Sequence, residues 1–353
     1  MNDHLADLAI TASRKTMTGP PLVTVIVPAF NAGRTIDETL RSVREQTHRN
    51  LEILVVDDGS TDDTASKVQA HARVDTRVRL IQQANEGVAS ARNRAFAQAK
   101  ADFIAPIDAD DLWLPTKVEK QLDVMLSRGP RCGLVYTWQA SIDEQGIVIS
   151  TGRRQDAEGD VLQGMLFENI LGSASSALMR KQAMIEAGGY DASLRQQGAQ
   201  GCEDFKLYVQ IAERYEYGLV REYLTGYRQR AGAMSMDLLQ MQRSYNLVAE
   251  YAQSAHPEFR RLIRSGRLNY ARYLFLIAIR HLDYRSGAVL LRQLLTMNPL
   301  YTLRIFLRLP YIAARSAARR LRARLDPKAH GPVRFSASLN SHMNIKEGSV
   351  LET

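Results

Sequence analysis

Four short apolar runs, "LVTVIVPAF" (22–30), "LEILVVDDGS" (51–60), "VRLIQQ" (78–83) and "DFIAPID" (102–108), are separated by longer stretches of helical period. The runs are rich in Val and Ile and are short enough for strands buried on both faces. Between the first two, Ile36, Leu40 and Val43 recur at helical spacing, and Thr35-x-x-Glu38 fits a capping box. A polar helix is expected over 62–73 and an Ala-rich one over 87–100. Strands alternating with helices imply a mostly parallel, doubly wound sheet with flanking helices. In such sheets ligands bind outside the carboxyl ends of the strands. Asn31, Asp57-Asp58 and the group Asp108, Asp110 and Asp111 all fall at such ends.

Asp108, Asp110 and Asp111 lie within four residues, and like charges that close raise the energy of the fold unless a cation or good solvation relieves them. Magnesium and manganese prefer oxygen ligands and often take one or two carboxylates plus substrate phosphates. An Asp-x-Asp at a strand end supplies that incomplete set, so the expected cation is Mn2+ or Mg2+ carrying a nucleotide diphosphate.

Further along, a helix is expected over 115–128, a strand over 132–140, an extended piece at 174–180 and a helix over 202–215. Leu207, Tyr208 and Ile211 make an apolar face that places Asp204 at the start of a buried helix. From 238 to 325 the pattern is all helix, with 266–300 resembling a single tetratricopeptide-like hairpin packed as an appendage. The division expected is a flexible leader over 1–20 and an α/β domain over 21–237, split near 125 into two halves. A helical appendage over 238–325 and a disordered tail over 326–353 follow.

The net charge of +8 is unevenly placed, since Glu258 to Leu325 holds fifteen Arg, no Lys, one Glu and one Asp. Within it Arg304, Arg308, Arg315, Arg319 and Arg322 alternate with Leu303, Phe306, Leu307, Ile312 and Leu321. That amphipathic pattern over 300–325 suits an anionic membrane surface. Nucleic acid is not expected, because no recognition module or stacking platform accompanies the charge. The two cysteines, Cys132 and Cys202, fit neither a disulfide framework nor a zinc site. The leader is not a signal peptide, and no window reaches the length of a spanning helix, so a cytoplasmic protein, peripheral on the inner face of a membrane, is expected.

"VIVPAFNAGRTIDETLRSVREQT", "EILVVDDGSTDDT", "NEGVASARNRAF" and "IAPIDADDLWLPTKVEKQ" occur in the order in which family-two inverting glycosyltransferases carry similar motifs. The resemblance covers 22 to about 125 closely and 160–235 more thinly. It implies a GT-A fold and transfer of a sugar from a nucleotide-diphosphate sugar, UDP-linked by expectation, to a hydroxyl of a saccharide or lipid-linked acceptor. It also implies roles. Pro28, Ala29, Asn31, Asp57 and Asp58 correspond to the nucleoside wall. Asn85, Gly87, Arg92 and Asn93 face the nucleotide sugar. Asp108 contacts ribose or sugar, Asp110 binds metal and Asp111 supports it. Trp113 lines the sugar site or is wedged under the sheet. Asp204 matches the catalytic base, with Glu203 its neighbour. In "GYRQRAGAMSM" Arg230 stands where relatives often carry His, so Arg228 and Arg230 are expected at the diphosphate, with weaker metal dependence.

Two other classes use acids at strand ends. A sugar-phosphate nucleotidyltransferase would want a Gly-rich basic loop after the first strand, where "PAFNAGRTIDE" has one Gly. A receiver-like magnesium-binding module places its acid pair after the first strand, whereas here the pair follows the second.

Overall fold

A computed structural model of the chain describes residues 19–152, 154–230, 232–304, 307 and 333–336. Its first half alternates β1 (Val23–Ala29), α1 (Ile36–Arg44), β2 (Leu51–Asp57), α2 (Thr64–Val74), β3 (Val78–Gln82), α3 (Val88–Gln98) and β4 (Phe103–Pro106). Then come β5 (Leu112–Trp113), α4 (Lys117–Ser127), β6 (Cys132–Ile142), β7 (Val148–Ser150), α5 (Leu162–Phe167), β8 (Ala177–Arg180), α6 (Lys181–Glu186) and α7 (Ser193–Gln196). The chain continues through α8 (Glu203–Ala212), β9 (Glu216–Arg228), α9 (Leu238–Ala255), α10 (Arg260–Arg280) and α11 (Tyr284–Met297).

The strands form one nine-stranded sheet in the order β3-β2-β1-β4-β8-β6-β9-β5, with β7 on β6. The expectation of a mostly parallel sheet holds for β3, β2, β1 and β4. The other half is mixed, because β8 is antiparallel to both β4 and β6, and β5 is antiparallel to β9. β1 is buried along its whole length, and apolar clusters line both faces of the sheet. This accounts for its unbroken apolar sequence, since a one-faced strand would alternate.

Chain direction across the sheet reverses between β1 and β4, where the crevice of such folds opens. Ile26 C=O points to β4, accepting from Ile107 N at 3.0 Å, whereas Ala29 C=O points to β2, accepting from Asp58 N at 2.8 Å. Pro28 therefore faces the β4 side after that ladder has ended, where its missing N–H leaves no bond unmade.

Two local expectations give way to tertiary contacts. Thr35 and Glu38 form no capping box: Thr35 Oγ1 donates to Ala109 C=O at 2.9 Å, and Glu38 pairs with Arg228 at 2.6 Å. Within the tail expected to be disordered, residues 333–336 lie on the sheet's margin. Phe335 is buried, its N–H donates to Gly146 C=O at 2.9 Å, and Val333 C=O accepts from Val148 N at 2.8 Å.

The helical end shares the core of the α/β part. Tyr245, Val248, Ala249 and Ala252 of α9 and Ile263 of α10 belong to the same apolar cluster as Phe205, Tyr208 and Ile211 of α8. α10 and α11 form the expected hairpin around Ala271, Leu274, Phe275, Leu290 and Leu294. Among the described residues, no helix is long and apolar enough to cross a membrane. Of the basic pattern over 300–325, Leu303, Arg304 and Leu307 are exposed, whereas Phe306, Arg308, Ile312, Arg315, Arg319, Leu321 and Arg322 lie outside the described residues. Residues 1–18 of the expected leader lie outside them as well.

Candidate active site

The carboxyl ends of β1, β2 and β4 meet at one edge, because Ala29 is level with Asp57 and Ile26 with Pro106. Beyond β4 the chain turns through Asp108 to Asp111, held from below by α1. Thr39 Oγ1 donates to Ala109 C=O at 3.1 Å and to Asp111 C=O at 2.9 Å. The Asp-x-Asp is thus clamped to the helix that follows β1.

Arg92 joins the two halves. It rises from α3, is almost wholly buried, and donates to Asp108 Oδ1 and Glu203 Oε1, both at 2.6 Å. Its guanidinium carbon sits 5.3 Å from the centre of the Tyr190 ring, a cation–π contact beneath the ion pairs. Burial works against its charge, but Asp108 and Glu203 outweigh it and hold the guanidinium firmly protonated. One side chain therefore ties the end of β4 to the start of α8, where Asp204 stands beside Glu203.

Asp204 is strongly perturbed. Burial first, and the neighbouring Glu203 second, push its carboxyl up to about 7, against the pull of Arg92 and a bond from Phe205 N at 2.6 Å. A carboxyl poised near neutrality is suited to take a proton from a hydroxyl. Glu203 is committed to structure, accepting from Arg92 on one oxygen and from Gly201 N at 2.9 Å on the other. It is the anchor of Arg92, not a second base.

Asp110 faces Arg230, whose Nε lies 2.9 Å from Oδ2. Burial, and then Asp108, push the Asp110 carboxyl up, and Arg230 offsets part of that. Among the described residues, no group outside the residue itself bonds to the second carboxylate oxygen of Asp108 or of Asp110. Among the described residues, no three His, Cys, Asp or Glu side chains are grouped to hold a metal ion by themselves. The remaining oxygens are those of a two-carboxylate set, which suits a hard divalent ion completed by phosphate.

Several expected ligand contacts are spent elsewhere. Asp111 is fully buried, accepting from Arg228 N at 2.9 Å and from Ser175 Oγ at 2.5 Å, so it fixes the turn and does not reach a cation. Trp113 is wedged under the sheet, its Nε1 donating to Ser175 C=O at 2.7 Å and its ring 4.0 Å from Lys117 Nζ, so it does not line the sugar site. Arg228 is buried and donates to Asp110, Asp143 and Glu144 carbonyls while pairing with Glu38, so no fork is left for a diphosphate. Asn93 grips the backbone of Tyr190, donating to its C=O at 2.7 Å and accepting from its N–H at 2.9 Å, rather than facing a sugar.

Asp58 is likewise consumed, accepting from Gln83 Nε2, Glu86 N and Gly87 N, each at 2.8 Å. It shapes the loop into α3. Asp57 accepts from Ser60 N at 3.0 Å and Gln82 Nε2 at 3.3 Å, one bond per oxygen, so each oxygen keeps a lone pair. Asn31, in left-handed backbone with φ 46°, accepts from Thr61 N at 2.9 Å and joins the two strand-end loops. Asn85 accepts from Arg195 at 2.7 Å, and Gly87, with φ 91°, packs where a Cβ would meet Gln200 and Arg195.

Sequence reasoning did not single out Ser175, Tyr190 or Arg195, and it read Glu38 only as part of a helix cap. Each acts across at least 64 positions of chain, which no local pattern marks. Replacing Arg228 with Leu removes its three carbonyl bonds and the Glu38 pair. Glu38 is 45% exposed, which discounts the ion pair, and the expected loss of stability is about 3 kcal/mol. Equilibrium urea unfolding checks this, and an unchanged midpoint would show that Arg228 is dispensable.

A half-parallel sheet with an Asp-x-Asp beyond its fourth strand, facing a helix-borne acid, defines the GT-A type of fold. Residues 24–187 match the family described as Glycosyl transferase family 2, so the chain carries a family-2 glycosyltransferase domain. A UDP-Glc:alpha-D-GlcNAc-diphosphoundecaprenol beta-1,3-glucosyltransferase of Escherichia coli, WfgD, is 42% identical over 106 residues, covering 30% of this chain and 41% of that protein. The chain spans half or less of the length of the curated relatives it matches first. The mannosyltransferase PcManGT of Pyrobaculum calidifontis, solved with GDP-Man and Mn2+, is 21% identical with a TM-score of 0.54, covering 88% of this chain and 89% of that one. TarS of S. aureus, residues 1–349 with UDP-GlcNAc, is 14% identical with a TM-score of 0.51, covering 76% and 90%. These two likenesses show the fold.

Proposed function

We propose that the protein transfers a sugar, with inversion, from a nucleotide-diphosphate sugar to a hydroxyl of a saccharide or lipid-linked acceptor in cell-surface polysaccharide or glycolipid synthesis. The observation that carries this reading is the Arg92 bridge, which brings the Asp-x-Asp and the base-bearing helix within one guanidinium of each other. A donor between them would present its diphosphate to Asp108, Asp110 and Arg230, and its anomeric carbon toward Asp204. Asp57 and the backbone of Pro28 and Ala29 would hold the nucleoside.

Asp204 accepts the acceptor's proton as the new bond forms on the face opposite the leaving diphosphate, which inverts the anomeric centre. Arg92 keeps Asp108 and Glu203 fixed while this happens, so the base does not drift from the donor. Asp108 and Asp110 would hold Mn2+ or Mg2+, which when bound supplies positive charge to the leaving diphosphate. Arg230 places a guanidinium at the same spot, and phosphate oxygens match its fork. This supports a metal dependence weaker than a site built from carboxylates alone would have.

A UDP-linked donor and a lipid-diphosphate acceptor are favoured by the likeness to WfgD, whose name carries both. The nucleotidyltransferase and receiver-like alternatives lack support in the residues at β1, where no glycine-rich basic loop or acid pair stands. Incubating the protein with UDP-, GDP- and dTDP-sugars, Mn2+ and an undecaprenyl-diphosphate-linked sugar tests the reading. One donor class is expected to yield a lipid extended by one sugar. Formation of a nucleotide sugar from a sugar phosphate and a nucleoside triphosphate, with no transfer, would replace it.

A further inference from the structure

The hairpin of α10 and α11 and the turn after it present a surface that the transferase chemistry does not use. Tyr284, Leu295, Leu300 and Leu303 are 46–75% exposed. On α11, Ser286, Gly287, Leu290 and Leu294 face inward, so Tyr284, Arg285, Val289, Arg292 and Leu295 fall on the outer face. From Tyr284 to Leu307 the sequence holds three arginines and no Asp, Glu or Lys. Every ion pair among the described residues involves residues no later than Glu258, and the carboxylate nearest these guanidiniums along the chain is Asp283, which caps α11 and feels the charge of Arg285.

Single exposed leucines are ordinary, but a face that sets several large apolar side chains beside arginines marks an interaction surface. A second copy of the chain does not fit, because a two-fold contact would set arginine against arginine. Aliphatic side chains interleaved with guanidiniums match lipid instead: leucines enter the acyl boundary while the arginines fork onto phosphate headgroups. We infer that the outer face of α11 and the turn through Leu303 dock the protein on an anionic lipid bilayer.

The same elements are coupled to the base. Phe205, next to Asp204, stacks on Tyr245 at 5.4 Å, Tyr245 stacks on Tyr270 of α10 at 4.1 Å, and Tyr270 leans on the exposed Tyr273 at 6.0 Å. Gly266 lets α10 lie directly on the backbone of Phe167, where a Cβ would clash. The docking face is therefore fixed relative to α8, and a lipid surface holding it also sets the distance from headgroup level to Asp204. This last link rests on the proposed lipid-linked acceptor; the docking itself does not.

Flotation of the full-length protein with phosphatidylcholine vesicles, with and without about one-third phosphatidylglycerol, tests the inference. Binding to the anionic vesicles is expected to be at least about tenfold tighter than to neutral ones and to weaken as salt rises. A Tyr284→Glu, Leu295→Glu, Leu300→Glu variant is expected to lose about tenfold or more, since three apolar anchors become anions. The exposed control pair Val74→Glu and Ile185→Glu, on α2 and α6, is expected to bind as the parent does. Equal flotation of the triple variant and the parent would overturn the inference, as would no flotation of the parent. So would a dimer in solution that the triple variant converts to monomer. Nucleotide-diphosphate binding by the triple variant, expected at parental strength, reports on the transferase site separately.

Discussion

Asp204→Asn is expected to bind donor as the parent protein does and to lose transfer by about a thousandfold, the size of a general-base contribution. The asparagine keeps the shape of the side chain but accepts no proton, so the effect falls on turnover. In the parent, activity should rise with pH through about 7, because the base works only when ionised and its carboxyl is held there. The variant's residual rate should lack that limb. The same shift fixes an opposite effect on stability. An ordinary carboxyl ionises near 3.9 in the unfolded chain, so between there and about 7 the unfolded state loses its proton first, and the parent's stability falls as pH rises. Asp204→Asn removes that penalty, so at pH 8 the variant should melt at a higher temperature than the parent. Full transfer by this variant, or a lower melting temperature at pH 8, would remove Asp204 from the role.

Asp110→Ala is expected to lower transfer by about a thousandfold in saturating Mn2+, a loss of several kcal/mol of charge stabilisation at the leaving group. Its fold should survive, since among the described residues Asp110 supplies the contact to Arg230 and a main-chain carbonyl to Arg228, and the substitution keeps the second. Removing the carboxylate frees Arg230, so the residual activity should no longer respond to Mn2+. Assays with and without chelator read this directly. A variant as active and as metal-responsive as the parent would show that the Asp-x-Asp is ornamental to the chemistry.

The parallel half of the fold was legible because its strands are buried on both faces and its polar groups fall at their ends. The mixed half was not. β9 carries Gly218 and Gly226, which weaken a strand signal, and the reason for the second lies 109 positions away. A Cβ on Gly226 would strike the ring of Phe335, so the glycine belongs to the docking of the C-terminal stretch. β5 is two residues long and exists only because β9 passes it.

At the site, sequence identified which acids gather but not how each is spent. Asp110 and Asp111 are neighbours in a run of like charge, yet among the described residues Asp110 meets only Arg230 through its carboxylate, whereas Asp111 is sealed by Ser175 and Arg228. Arg228 and Arg230 differ in the same way: one is consumed by carbonyls from two loops, the other is left against Asp110. Glu38 follows Thr35 at capping-box spacing, and its true partner is 190 positions on. Long side chains of one sign choose among partners through the fold, and spacing alone does not rank those choices.

In the proposed reaction the two acids beyond β4, Asp108 and Asp110, grip a diphosphate through a shared cation. Calorimetric titration of UDP, GDP and dTDP into the protein, with and without Mn2+, tests it most directly. One nucleotide is expected to saturate a single site more tightly when Mn2+ is present, and Asp110→Ala to lose that gain. No binding of any of the three, or the same Mn2+-dependent gain in Asp110→Ala, would contradict it.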